Sequence, residues 1–118
     1  MNVAQPLVQA SLLGEAIDAG PALVLVADED MSYVAVNETA CEALGYEREE
    51  LLGMRVTDVS ASENAAESYA RFVADGEAAG RARIVRKDGS VLELEYRASR
   101  VTVAQMTFYV MVGLPAQA

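Results

Sequence analysis

The amino-acid sequence predicts an α+β fold, in which an antiparallel sheet with a curved inner face is roofed by short helices from mid-chain. Three observations carry this. Two β-type runs flank Lys87-Asp88-Gly89-Ser90. Asp-Gly between alternating apolar runs is a strong hairpin signal, because a tight primed turn needs positive φ, which Gly and Asp tolerate best. From Val91 onward, Leu92, Leu94, Tyr96 and Ala98 alternate with Glu93, Glu95, Arg97 and Ser99, as in a strand with one buried and one wet face. The last run, Met106 to Val112, is apolar on both faces, so it belongs in the middle of a sheet covered on both sides.

Taken in order, residues 1–6 lack periodicity and are expected to be loose. From Leu7 to Ala19 the apolar positions Val8, Leu12, Ala16 and Ala19, flanked by Leu13 and Ile17, recur at helical spacing. Gly20-Pro21 ends that helix. Pro21 to Ala27 is a solid apolar strand, Asp28-Glu29-Asp30 an acidic turn, and Met31 to Val36 an alternating partner strand. Asn37 is a good N-cap, with Glu38 at the positive end of a short helix stopped by Gly45. Tyr46 to Gly53 adds another helical turn or two. Ser60 with Glu63 three residues on suggests a capping box opening a helix to about Asp75, with Ala65, Tyr69, Phe72 and Val73 on one face. Gly76 to Gly80 reads as a small-residue connector into the last three strands.

The totals bound the function. A chain of 118 residues with 53% apolar content suits one domain with one core, residues 1–118. A net charge of −9 argues against nucleic-acid binding, which needs a basic patch. The longest apolar runs are too short to span a bilayer and no signal-peptide pattern opens the chain, so a soluble cytoplasmic domain is expected, with no membrane partner. One cysteine excludes an intrachain disulfide and fits a reducing compartment. The absence of histidine removes Ser-His-Asp and Cys-His nucleophile systems, His-ligated zinc and histidine-ligated haem. No phosphate-cradling Gly motif is present.

Asn37-Glu38-Thr39-Ala40 after the second strand, Leu44-Gly45-Tyr46 through Glu50-Leu51-Leu52-Gly53, and Arg86-Lys87-Asp88-Gly89-Ser90 leading into Val91–Ser99 together resemble a PAS domain over roughly residues 10–114. The resemblance implies a five-stranded antiparallel sheet in the order 2-1-5-4-3, helices enclosing a pocket on one face, and an N-terminal amphipathic helix on the other. It also implies a sensory or dimerisation role in bacterial-type signalling proteins, passed to an output domain or partner protein. Family members coupled to a downstream effector often end in Asp-Ile-Thr, where this chain has Gly113-Leu114-Pro115. Cys41 lies in Thr-Ala-Cys-Glu-Ala, outside the Asn-Cys-Arg context of cysteinyl-flavin photoreceptors, and reads as an inert buried thiol. Non-covalent flavin or a small apolar molecule remain as candidate ligands.

Short helices pack imperfectly over a curved sheet, and apolar pockets with a few polar groups are the usual small-molecule sites. The candidate lining is Leu51, Met54, Tyr69, Phe72, Leu94, Met106 and Phe108, with Asn37, Tyr96 and Thr107 as polar groups. Each could equally fill a solid core, and Asn37 could simply cap a helix. The arginines at 81, 83, 86 and 97 with Glu93 and Glu95 read as exposed cross-strand pairs, and Asp28-Glu29-Asp30 lacks calcium-loop spacing. No catalytic or metal site is expected. The outer sheet face needs a cover: either the chain's own helix, or a second copy in a homodimer, with Val8, Leu12, Ala16, Leu23, Leu25, Tyr109 and Met111 as interface candidates. The function expected is a non-catalytic sensor, the alternatives being a dimerisation module with a filled core and, remotely, an enzyme of the isomerase or dehydratase kind.

Overall fold

A computed structural model describes residues 5–116. Of the loose N-terminus expected at 1–6 and the tail expected at 115–118 beyond a core of 21–114, residues 1–4 and 117–118 lie outside the described residues. The element order is α1 (Pro6–Asp18), β1 (Leu23–Ala27), β2 (Tyr33–Val36), α2 (Glu38–Leu44), α3 (Arg48–Leu51), α4 (Val56–Val59), α5 (Ala65–Asp75), β3 (Glu77–Val85), β4 (Val91–Val103) and β5 (Met106–Pro115). The sheet is five-stranded in the order β2-β1-β5-β4-β3, antiparallel throughout. The two strands apolar on both faces, β1 and β5, are indeed adjacent and interior.

Leu23, Leu25 and Ala27 are buried while Val24 and Val26 are half-buried. Opposed residues of an antiparallel pair share a face, so the pairings Leu25↔Met111 and Ala27↔Tyr109 put Met111 and Tyr109 on the helix-covered side too. Four of the expected outer-face residues, Leu23, Leu25, Tyr109 and Met111, therefore point inward, and the outer stripe is Val24, Val26, Val110 and Val112. A one-residue slip exchanges the faces of a strand, and strands apolar on both sides carry no alternation to fix the choice. The same shift moves Phe108 to the outer face. Met106 starts β5 beside a turn and is 56% exposed, so neither lines the interior.

Turn chemistry departs from expectation twice. At Lys87–Ser90 only Gly89 has positive φ, at 89°. The N–H of Gly89 donates to the Arg86 carbonyl and that of Arg86 to the Ser90 carbonyl, so this is a longer turn closed by a left-handed glycine rather than a two-residue primed one. The tight turn with two positive φ values joins β4 to β5 instead, at Ala104 (51°) and Gln105 (65°), neither a residue type that favours it. The Ser60–Glu63 capping box does not form. Ser60 ends α4 and bridges to Ile84, and α5 opens only at Ala65. The connector 77–80 is already strand, paired from Glu77↔Ser99.

Helix α1 is present, but no residue in it is buried. Leu7, Leu12, Leu13 and Ile17 are exposed, as is Val112 on the sheet, so the helix does not cover the outer face within one chain. Its C-terminal end is fixed by side-chain hydrogen bonds. The Asn37 amide donates to the carbonyls of Ile17 and Ala22, both at 2.8 Å. Its Oδ1 accepts from the N–H groups of Val24 (2.9 Å) and Ala40 (3.0 Å). Asp18 accepts from the Glu38 N–H and from Arg48, and Thr39 Oγ1 donates to the Gly20 carbonyl.

Two predictions follow from these contacts. Asn37→Ala removes a helix cap and strands two carbonyls and a strand N–H, so it should cost about 3 kcal/mol in urea unfolding. Asn37→Asp, which keeps only the accepting half, should cost a substantial part of that. Ala104→Asn with Gln105→Gly relieves two unfavourable φ values and should stabilise the fold by about 1 kcal/mol or more. Unchanged stability in that pair would mean the β4–β5 turn is not of this type.

Candidate functional site

Small side chains leave a space in the inner layer. Ala78 on β3 pairs directly with Ala98 on β4, which pairs in turn with Met111 on β5, and Ala82 continues the row along β3. Helix α5 crosses above, and its first turn, at Ala65, is also small. A half-open cavity of about 460 Å³ results, bounded on one side by segment 60–62 where the Ala61 N–H donates to the Arg83 carbonyl. Its size lies within the usual range for small-molecule sites.

One wall is aromatic. Tyr69, Phe72 and Tyr109 meet edge-to-face, with centroids 5.8, 5.9 and 5.2 Å apart, the favoured geometry for aromatic quadrupoles. The Tyr69 hydroxyl donates to the Asp28 carbonyl at 2.8 Å, tying α5 to the β1–β2 turn. Burial pushes the Tyr33 phenol well above the ordinary tyrosine range, with Asp58 adding to the effect. It does the same for Tyr69, with Asp28 adding. Both stay protonated and can donate.

Besides Tyr69, the tyrosines lining the cavity are Tyr33, Tyr96 and Tyr109. None of their hydroxyls has a hydrogen-bond partner among the described residues. Tyr33 and Tyr109 are 6% and 3% exposed, but among the described residues no buried side-chain polar atom lacks a partner. These hydroxyls therefore reach the solvent of the half-open cavity, and an occupant that displaces that water must offer them an acceptor. Arg81 and Arg83 border the opening from β3. Strand alternation sends their side chains to the outer face, where Arg81 meets Glu93 and Glu95 at 3.3 and 3.2 Å, as the exposed cross-strand pairing expected of it.

Of the lining residues proposed from sequence, the structure brings Tyr69, Phe72 and Tyr96 to the cavity. Leu51 and Leu94 are completely buried in the filled half of the core under α2 and α3, and Met54 packs against that half. Asn37 is 4% exposed with every polar atom engaged elsewhere, so it is a structural tie and not a cavity group. Cys41 packs against the filled half and does not line the cavity; burial raises its thiol pKa, the nearby Arg48 offsetting part of that effect. The Asp28 carboxylate is occupied by the N–H groups of Asp30 and Ser32. Sequence reasoning missed Tyr33, Ala78, Ala82 and Ala98. The available signal was the small residues at alternate positions of β3, Ala78, Gly80 and Ala82, with Ala98 on the strand beside it.

A family model for the PAS domain matches residues 21–114. Comparison with curated proteins gives no match. Among solved structures, the chain is similar to the PAS domain of an HTR-like protein from Haloarcula marismortui, with a TM-score of 0.82, 21% identity and 92% of each chain covered. It is similar also to a PAS domain from a two-component sensor histidine kinase, with a TM-score of 0.82, 15% identity and coverage of 95% of this chain and 100% of that one. A third likeness is to a domain of the sensory box sensor histidine kinase/response regulator from Geobacter sulfurreducens, with a TM-score of 0.78, 20% identity and coverage of 96% and 99%. The family match over most of the chain, with the sheet order observed here, shows that this chain belongs to the PAS domain family.

Proposed function

We propose that this chain is a non-catalytic sensory module of a cytoplasmic signalling protein, binding a small molecule between α5 and the inner sheet face. The observation that carries this is the cavity itself: paired alanines under a helix, an aromatic wall, and tyrosine hydroxyls with no partner among the described residues. A domain whose interior served only as scaffold would gain stability by filling this space, since voids forfeit dispersion contacts. The likeness to PAS domains of histidine kinases supports an output domain or partner protein downstream. Nothing in the cavity suggests turnover, as it is lined by no carboxylate, lysine or cysteine side chain.

A second reading rests on a separate observation. The outer stripe Val24, Val26, Val110 and Val112 and the exposed apolar residues of α1 suit a homodimer in which two copies share these surfaces. Of the interface residues inferred from sequence, Val8, Leu12 and Ala16 remain candidates for it. Both readings can hold at once.

Two experiments test them. Ala98→Leu places a larger side chain into the cavity and should change stability by less than about 1 kcal/mol, whereas Ala40→Leu, in the filled half, should cost about 1–3 kcal/mol. Native mass spectrometry of the purified protein should show a bound small molecule that Ala98→Leu excludes. Equal destabilisation by the two substitutions, with bare polypeptide mass throughout, would end the ligand reading. For the dimer, Val112→Lys or Leu12→Arg should shift sedimentation from dimer to monomer, and a monomeric unsubstituted protein would remove that reading.

A further inference from the structure

The chemistry of the cavity narrows its occupant. Its walls are apolar and small, and one is built of three interlocked rings. Away from the arginines at its opening, its polar side chains are neutral hydroxyls, those of four tyrosines and of Ser60, Ser62 and Ser68. Tyr69 has spent its proton on the Asp28 carbonyl, whereas Tyr33, Tyr96 and Tyr109 have no protein acceptor among the described residues. No acidic or lysine side chain lines the space. The nearby carboxylates are those of Asp28, which is occupied by its own turn, and Asp58. The arginines at the opening belong to the outer face. A buried ion would therefore meet no counter-charge, and desolvating an ion without one is prohibitive. A plain hydrocarbon would leave the phenol donors unmet, at a cost in affinity.

We infer that the ligand is a neutral, mainly apolar ring compound carrying a hydrogen-bond-accepting group, such as a carbonyl, that takes its hydrogen bond from the unpartnered tyrosine hydroxyls. This rests on the reading of the cavity as a ligand site, and names the class that site selects. The side chains divide the work. The alanines Ala78, Ala82 and Ala98 set the room, the aromatic wall offers ring faces and edges, and the phenols read the acceptor.

The test uses three probes of one size on the whole chain: 2-isopropenylnaphthalene, 2-acetylnaphthalene and 2-naphthoate, with affinity measured by titration calorimetry or ligand-observed NMR. The ketone should bind about tenfold more tightly than the hydrocarbon, and the carboxylate about a hundredfold more weakly than the ketone at pH 8. At least one of Tyr33→Phe, Tyr96→Phe and Tyr109→Phe should weaken the ketone about three- to tenfold while leaving the hydrocarbon unchanged. The unchanged hydrocarbon shows that the variant cavity is intact. Ala98→Leu should abolish binding of both. Naphthoate binding as well as the ketone overturns the neutral class and leaves the cavity as a site. Ketone and hydrocarbon binding equally, with all three Tyr→Phe variants silent, overturns the role of the phenols. Binding of none of the three overturns the class and the ligand site together.

Discussion

Asn37 is the point through which three parts of the fold are joined. Its side chain has two donors and one accepting oxygen, and all are used: the donors on the end of α1 and the approach to β1, the oxygen on the N–H groups of Val24 in β1 and Ala40 in the first turn of α2. Its backbone N–H donates to Val24 as well. No other side-chain type offers donors and an acceptor in that planar arrangement at that length except glutamine, which is a methylene too long. Around it, the Asp18 carboxylate and the Thr39 hydroxyl repeat the same joint. The result is a helix fastened firmly at its C-terminal end, which is how α1 can be ordered without burying a residue.

The interior divides into two halves with different characters. Under α2 and α3 the core is closed, with Leu23, Leu44, Leu51 and Leu94 among its fully buried residues. Under α5 the sheet presents alanine where the other half presents leucine, and the space that opens is occupied only in part by the rings of Tyr69, Phe72 and Tyr109. Helix α5 carries a strongly one-sided apolar face, yet Phe72 is its one buried residue among those described. That is the expected state of a helix lying over a gap rather than over a packed surface. The cavity is thus a consequence of side-chain volume along two strands, not of any unusual backbone.

Much of the architecture was legible because it is written in alternation and punctuation. The wet and dry faces of β4 follow from Leu92 to Ser99 alone, and Asn37 was marked as a cap by its position between a strand and a helical run. What could not be read came from three physical causes. The faces of β1 and β5 are both apolar, so Leu25 and Tyr109 were placed on the wrong side for want of contrast. The turn at Ala104-Gln105 is imposed by the pairing of the long strands it joins, which overrides local preference and leaves no glycine to announce it. The cavity depends on which small residues end up opposite one another, and Ala78 opposite Ala98 is a fact of register that neither segment shows by itself.

Register also sets what an occupant could move. Tyr109 faces the cavity, and its neighbours Phe108 and Val110 face outward, so a displacement of β5 at the ring cluster is felt on both surfaces of the sheet at once. Strand β1 is paired to that segment from Leu23↔Gly113 to Ala27↔Tyr109, and β1 begins at the Asn37 joint that holds the end of α1. The other exit runs through Tyr69 to the Asp28 turn, where Met31 sits at a φ of 68°. Neither route transmits anything unless an occupant prefers one of two arrangements, because a ligand shifts an equilibrium only by its difference in affinity for the two states. The phenols without a protein partner supply a place for that difference to arise: hydroxyls that meet solvent when the cavity is empty and an occupant's acceptor when it is filled have two environments of unequal free energy. A core packed solid with leucine would have one.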